Sequence, residues 1–364
     1  MFKVECKSKI SQARIGKLKL PSGEVETPLF LPIATFGNVR GLSFEEIKKI
    51  GYQMILANTY HLYLRPGVKV IKKFKGLKSF CGWKGPILTD SGGFQIFSLK
   101  NAKVFEDFVE FFDEIEGKKH KLSPEKSIEI QLNFKSDILM VLDYFCGWPY
   151  KKKEIEKAIF LTTKWAQRSK NFFEKKINLK KHLRPLLFGI IQGGIYKDLR
   201  EKSLKDLLGI GFDGYAIGGL GVGEETSKML KVVDFLVKKI PEKKPRYLMG
   251  IGLLDQILKA IKKGIDIFDC VVPTREGRHG RIFIKGQKFE YKIINILNAK
   301  YKKDKKPIDS KCNCFVCKNF SRSFLRHLFK TRDPLGLRLA SFHNLYFYFE
   351  FIEEIKEAIK KGKV

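Results

Sequence analysis

Apolar residues in this chain come in short, dense runs: Leu29 to Ala34, Met54 to Ala57, Pro86 to Thr89, Asp137 to Leu142, Leu186 to Ile191, Gly214 to Ile217, Arg246 to Gly250 and Ile265 to Val272. Runs of this length with little internal alternation are the pattern of strands buried on both faces. Between most of them apolar positions recur at helical spacing, as in Glu154 to Phe173, Ser203 to Leu208, Glu225 to Lys239 and Leu254 to Lys263. Ser43-Phe-Glu-Glu46 is a capping box that opens a further helix. Eight buried strands alternating with helices call for a (β/α)8 TIM barrel, because right-handed crossovers make the sheet parallel and eight strands close it. A doubly wound open sheet is the competing architecture. Polar residues at the C-terminal ends of the runs favour the barrel, which gathers those ends at one mouth.

The remaining patterns fit around that rhythm. Alternating segments around Val4 and from Ile15 to Leu20, with Pro21-Ser22-Gly23 as a turn, read as a hairpin closing the bottom of the barrel. A stretch from Phe108 to Leu122, turning at Glu116-Gly117-Lys118-Lys119, reads as a hairpin over or beside the mouth, and lysine-dense Tyr150 to His182 as an exposed amphipathic helix. After Pro273 the rhythm stops. Arg281 to Ile284 and Phe289 to Ile293 read as strands around Lys285-Gly286-Gln287, Ser321 to Lys330 as a helix, and Tyr346 to Lys361 as the last helix. The chain then divides into a barrel with its N-terminal hairpin at 1–273, an annex at 274–345 and a closing barrel helix at 346–364. Its 364 residues leave room for such an annex, since a barrel alone takes roughly 250.

With 71 Lys and Arg against 39 Asp and Glu, the formal net charge is +32, which favours a polyanionic partner. Cys6, Cys81, Cys146 and Cys270 are scattered, while Cys312, Cys314 and Cys317 crowd together. That cluster favours a metal site in a reducing compartment over a disulfide framework. Three thiolates make most of a tetrahedral zinc site, with His343 or His327 as fourth ligand. His343 is preferred, because His327 falls in a helical pattern that accounts for it. With four protein ligands the site is structural. No apolar run approaches the roughly 18 residues that span a bilayer and none resembles a signal peptide, so a cytoplasmic protein without a membrane segment is expected.

Candidate chemistry sits at the run ends. The third run ends Thr89-Asp90-Ser91-Gly92-Gly93-Phe94-Gln95, the fourth in Asp143, the fifth in Gln192-Gly193-Gly194, the sixth in Gly218 to Gly223 and the eighth in Asp269. Two acids, Asp266 and Asp269, interrupt the eighth run, and a strand-end acid most often only caps a helix or pairs with an arginine. Asp269 is harder to dismiss. Behind it come a proline stop, two arginines spaced for an anion and flexible glycines, a setting that suits covalent chemistry on a nucleotide. A metal-dependent barrel hydrolase would need histidines at strand ends, and only His61 lies near one.

These stretches resemble the tRNA-guanine transglycosylase family, the queuine tRNA-ribosyltransferases of bacteria. The resemblance is carried by Asn58 to Gly67, Pro86 to Gln95, Ser136 to Met140, Gly189 to Gly194, Tyr215 to Leu220, Pro245 to Gly250, Asp266 to Cys270, Pro273-Thr-Arg275 and Cys-x-Cys-x-x-Cys with its distant His-Asn. It implies a TIM barrel with a zinc-binding subdomain inserted before the last helix. It also implies exchange of guanine at the wobble position of tRNAs for aspartate, asparagine, histidine and tyrosine against a 7-deazaguanine base, with a homodimer as the working form. Asp269 is then the nucleophile that forms a covalent ribosyl-enzyme, and Asp90 the general acid and base. Asp90, Ser91, Gly92, Gly93, Phe94, Asp143, Gln192, Gly219, Leu220 and Met249 would bind the base, Phe94 and Met249 sandwiching it. The loop Gly250, Ile251, Gly252, Leu253, Leu254, Asp255, Gln256 and the stretch Thr274, Arg275, Glu276, Gly277, Arg278 would hold the RNA. One structural zinc would sit on Cys312, Cys314, Cys317 and His343.

The resemblance has departures. Asp143-Tyr144-Phe145 stands where bacterial members usually have Asp-Glu-Cys, Gly221 replaces alanine or serine, and Glu276 adds an acid to the RNA-facing stretch. The expected incoming base is the aminomethyl precursor preQ1, with queuine or the cyano precursor preQ0 as alternatives. The lack of an added C-terminal RNA-binding domain speaks against the archaeal, preQ0-using type, while the altered 143–145 stretch keeps queuine open. A non-catalytic tRNA-binding subunit would not need both Asp90 and Asp269.

Overall fold

The computed structural model describes residues 2–99, 101–114, 116–178 and 183–364. The eight apolar runs form one parallel sheet: β1 (Leu29–Leu31, continued by Ile33–Ala34), β2 (Ile55–Ala57), β3 (Ile87–Thr89), β4 (Ile138–Met140), β5 (Leu186–Ile191), β6 (Gly214–Ile217), β7 (Arg246–Leu248) and β8 (Ile267–Asp269). Pro32 interrupts β1 because it has no N–H for the ladder. The first half of β1 pairs with β8, Leu29 opposite Ile267, and the second with β2, Ile33 opposite Leu56. Both edges of the sheet therefore belong to one piece of chain, and the sheet closes as a barrel. Every residue of β2 to β8 is buried, as strands covered on both faces require.

The crossover helices follow the sequence pattern. They include Phe44–Ile50, Lys152–Lys176, Lys197–Ile210, Thr226–Val237 and Leu254–Lys262. The first opens on the expected capping box, with Ser43 Oγ accepting from the Glu46 amide at 3.3 Å and Glu46 accepting from the Ser43 amide at 2.8 Å. Positions 179–182 of the lysine-rich stretch, and 115 in the mouth-side hairpin, lie outside the described residues. That hairpin, Val109–Phe112 with Lys119–Leu122, gains a short third strand, Lys103–Val104. It leans beside the mouth through Tyr63 and His120, whose rings are 5.4 Å apart.

At the N-terminal ends of the barrel strands the expected hairpin is a three-stranded sheet, Phe2–Lys7, Arg14–Leu20 and Gly23–Thr27. Its third strand has one buried aliphatic residue, Val25, too little to show as a pattern. The acids just before β4, β6 and β8 each meet a cation at this end: Asp137 with Lys78 at 2.9 Å, Asp213 with Arg184 at 2.7 Å and Asp266 with Arg14 at 2.6 Å. For Asp266 the ordinary reading of a strand-end acid is thus the right one.

Beyond β8 the structure differs from expectation in two places. Residues read as a proline stop followed by flexible glycines form the helix Val272–Arg278, with Pro273 in its first turn, where its missing N–H costs nothing. Gly277 serves close packing instead of flexibility, since a Cβ there would lie 2.9 Å from Ser341 Cα. The last helix is Pro334–Lys360, starting well before Tyr346 and carrying Ser341, Phe342, His343 and Asn344. Those four residues are all buried, so the segment shows no amphipathic period, and its start signal is Asp333, which caps the Leu335 amide at 2.8 Å ahead of Pro334. In the annex Arg281–Lys285 pairs with Tyr291–Asn295, Arg281 opposite Asn295. Among the described residues no helix is long and apolar enough to cross a membrane.

Candidate active site

The strand ends open onto one cavity of about 390 Å³, lined by residues that follow β1, β2, β3, β4, β5, β6, β7 and β8. Asp90, Asp143 and Asp269 all face it. In contrast to the acids at the other end of the barrel, none of the three meets a cation among the described residues. Asp90 Oδ1 accepts from the amides of Thr59 at 2.8 Å and Gly92 at 3.2 Å, while Oδ2 accepts from the Asn58 side chain. Asp143 accepts from Gln192 Nε2 at 2.7 Å and Ser91 Oγ at 3.3 Å. Asp269 accepts from Tyr247 Oη at 2.6 Å and the Gly250 amide at 2.8 Å, both on Oδ1.

Carboxylates desolvated without a counter-charge hold their protons more tightly. Burial, with the nearby charges of Asp269 and Asp143, lifts Asp90 to about 7 against the pull of the Thr59 and Gly92 amides. Asp143 is lifted to about 6 by burial, opposed by Gln192 and Ser91. Asp269 is raised by burial, opposed by Tyr247 and Gly250. Near neutral pH Asp90 is therefore a carboxyl group able to both give and take a proton, as acid-base chemistry requires.

Of the residues expected to bind the base, Ser91, Gly92, Phe94, Gln192, Gly219, Leu220 and Met249 also line this cavity. Gly93 does not. It starts the helix Gly93–Phe97 behind the wall, where a Cβ would press to 3.0 Å from the Asp143 carbonyl. Gly219 has φ +64°, and a Cβ there would sit 2.5 Å from Gln192 Oε1, so glycine lets the β6 loop pass beside that side chain. Of the two departures after Asp143, Phe145 lines the cavity, its ring edge-on to Phe94 at 4.9 Å, while Tyr144 turns away against Phe97. In the stretches expected to hold RNA, Ile251, Gly252, Leu254, Thr274 and Gly277 are buried. Gly250, Leu253, Asp255 and Arg275 are exposed, with Gln256, Glu276 and Arg278 partly so; Glu276 is paired with Arg281.

Several contributors carry no role in the sequence reading. Asn58 and Thr59 follow β2 directly, and the strand-end rule applied there would have found them. Gln95 reaches Asp90 at 3.5 Å and has a buried Oε1 without a partner among the described residues. Tyr247 is an apolar-looking position inside β7, and nothing in its pattern marks the hydroxyl. Arg200, fully buried, ties the β5 and β6 ends together through the carbonyls of Ile191 at 2.6 Å, Gly194 at 2.8 Å and Gly219 at 3.4 Å.

A sequence model of the family described as queuine tRNA-ribosyltransferase matches residues 8–364. The chain belongs to the queuine tRNA-ribosyltransferase family. Proteins with that name from Thermodesulfovibrio yellowstonii and Halothermothrix orenii are 48% and 45% identical to it over 352 residues, 96% of this chain and 89% and 91% of theirs. One from Acinetobacter baylyi is 46% identical over 362 residues, 99% of this chain and 92% of its own. As a member of the queuine tRNA-ribosyltransferase family the protein is an enzyme, a pentosyltransferase.

This ribosyltransferase also has a buried cluster of residues able to hold a metal ion. Cys312, Cys314, Cys317 and His343 are buried with their ligand atoms within 4.8 Å of one another. His343 Nδ1 lies 3.9, 3.6 and 3.2 Å from the three sulfurs. A tetrahedral ion bonded at about 2.3 Å to sulfur and 2.0 Å to nitrogen would set that nitrogen about 3.5 Å from each sulfur, so the donors fit. His343 Nε2 meets the Phe283 carbonyl at 2.7 Å; carrying the proton there leaves Nδ1 free as ligand. The other candidate, His327, is exposed on the helix Arg322–Lys330.

Proposed function

We propose that the enzyme is a tRNA-guanine transglycosylase of queuosine biosynthesis, exchanging guanine at the anticodon wobble position for preQ1 through a ribosyl ester on Asp269. The observation that supports this best is the convergence on one cavity of three carboxyl groups without cation partners among the described residues, one of them lifted to about 7. Asp269 Oδ2 attacks the ribose C1′ as its bond to guanine N9 breaks, and Asp90 gives the leaving purine a proton. The incoming base returns a proton to Asp90, and its nitrogen attacks C1′ and expels the Asp269 carboxylate. Two inversions give net retention, as in retaining glycosidases. Asp143 and Gln192 read the polar edge of the base, and Phe94 and Met249 cover its faces. Single-stranded anticodon loops let a base leave its stack at low cost, and the charge of +32 favours such a partner.

The choice of preQ1 over queuine takes the Phe145 ring, which lines the cavity beside Phe94, as leaving less room for a bulky 7-substituent. The ion in the Cys3His site is proposed to be zinc, one per chain. It cross-links the annex to the last helix and takes no part in the exchange, since protein fills all four positions. The test is release of labelled guanine from tRNA on adding preQ1, queuine or preQ0. Release driven best by preQ1, and abolished in Asp269→Asn with tRNA binding kept, is expected. Exchange at the wild-type rate by that variant overturns the mechanism, and a stronger response to queuine overturns the choice of base.

A further inference from the structure

Behind one wall of the cavity stands a buried cation that the exchange chemistry leaves unused. Arg200 and Ser203 lie three positions apart on the helix Lys197–Ile210, hence on one face of it, and both are buried. Arg200 Nε donates to the Gly194 carbonyl at 2.8 Å, Nη1 to that of Ile191 at 2.6 Å and Nη2 to that of Gly219 at 3.4 Å. Ser203 Oγ accepts from the Gln192 amide at 3.1 Å. These contacts bracket Gln192, whose side chain lines the cavity and gives one of its two amide protons to Asp143. The C=O and N–H of a trans peptide point opposite ways, so a Gly219 carbonyl turned back to Arg200 turns the Leu220 N–H away from the helix. Gly219 and Leu220 both line the cavity. The second Gln192 amide proton and the Leu220 N–H are thus donors without a partner among the described residues. Nor has Arg200 an acidic partner among those residues. Burial lowers its pKa to about 10, against the pull of Tyr150 and Glu224, so it is charged at neutral pH. A charge buried without counter-charge is costly, and a neutral donor would staple two strand ends at less cost. A cation does more, because it polarises the carbonyls it binds and strengthens the donors of the same peptides.

We infer that Arg200 is a positioning residue for base recognition: with Ser203 it sets the Gln192 side chain and the Leu220 N–H as paired donors to a ring carbonyl, so that the cavity selects bases carrying one. The inference rests on the proposed exchange of a purine base.

Arg200→Gln, Arg200→Lys and Ser203→Ala test this with two free bases, guanine and 2-aminopurine, the second lacking the ring carbonyl and the N1 proton that goes with it. KM for labelled guanine, the inhibition constant of 2-aminopurine and KM for an anticodon stem-loop are measured together, since none of them depends on how much of the enzyme is folded. Arg200→Gln is expected to raise KM for guanine about fivefold to tenfold and to leave the other two constants within twofold. Arg200→Lys, which keeps the charge without the planar fork, is expected to fall between Arg200→Gln and wild type. Ser203→Ala trims a single hydroxyl and is expected to weaken guanine alone by about threefold, which decides the matter if neither Arg200 variant folds. Equal losses for both bases, a loss confined to KM for the stem-loop, or unchanged KM for guanine in the folded variants overturns the proposal. If the wild-type enzyme exchanges no guanine, the reaction assignment fails instead, and equilibrium dialysis of the two labelled bases against the same variants decides the role of Arg200. A wild type that holds both bases equally overturns it.

Discussion

Tyr247 donates its phenolic proton to Asp269 Oδ1 at 2.6 Å, from a side chain buried inside β7. This bond and the Gly250 amide both fall on Oδ1, and in the proposed reaction Oδ2 is the oxygen that approaches the sugar carbon. Both donors favour the ionised carboxylate and oppose the burial that raises its pKa. Tyr247→Phe keeps the packing and removes one donor, so the pKa of Asp269 climbs further. The acidic limb of kcat/KM is predicted to move to higher pH, with the rate at neutral pH falling about tenfold. A pH profile that matches the wild type would separate Tyr247 from the chemistry.

Asp90 gives a prediction about stability. Its pKa rises from 3.8 to about 7 in the folded protein, chiefly through burial. Between those values the folded state holds a proton that the unfolded chain has lost. The stabilisation is therefore full below about 4 and disappears as pH rises through about 7. Asp90→Asn has no such proton to lose. Its Tm relative to wild type is predicted to be higher at pH 8 than at pH 5 by about 2 °C or more, any constant effect of the substitution cancelling in the comparison. Equal differences at both pH values would mean that Asp90 titrates like an exposed acid.

Asp266 and Asp269 lie three positions apart in one run and are predicted to respond in opposite ways. Asp266→Asn breaks a buried pair in which Arg14 forks onto both carboxylate oxygens at 2.8 and 2.6 Å. A loss of about 3–5 kcal/mol in denaturant unfolding is expected, with exchange per folded molecule retained. Asp269→Asn should lose the exchange and keep the stability. The reverse pattern would mean the two ends of the barrel are misassigned.

The contrast between those acids marks how far the sequence alone can be read. The eight strands were legible because each is buried on both faces and leaves an uninterrupted apolar run, and Asp90, Asp143 and Asp269 because they end such runs. Asp137 and Asp143 begin and end one run, which puts them at opposite ends of the barrel, and the structure adds that Asp137 is paired with Lys78. Tyr247 escaped because a tyrosine inside a buried strand looks like any other core residue. The start of the helix Pro334–Lys360 escaped for a related reason, since the Ser341 to Asn344 stretch is buried on every side and shows no polar face. The His343 choice survived that error because it rested on excluding His327.

The annex is predicted to depend on its metal. Metal analysis should find one zinc per chain, and Cys314→Ala, which removes a buried ligand, should lose it together with the folding of the annex. A metal-free protein that melts at the wild-type temperature would contradict the site's structural role.

The central claim is a bond between Asp269 and ribose, and the most direct measurement is to trap it. Enzyme mixed with substrate RNA without an incoming base, then denatured and digested, is predicted to yield RNA attached to the peptide carrying Asp269. Added preQ1 should discharge the adduct, and Asp269→Asn should form none. An adduct on another residue, or full exchange by Asp269→Asn, would contradict it.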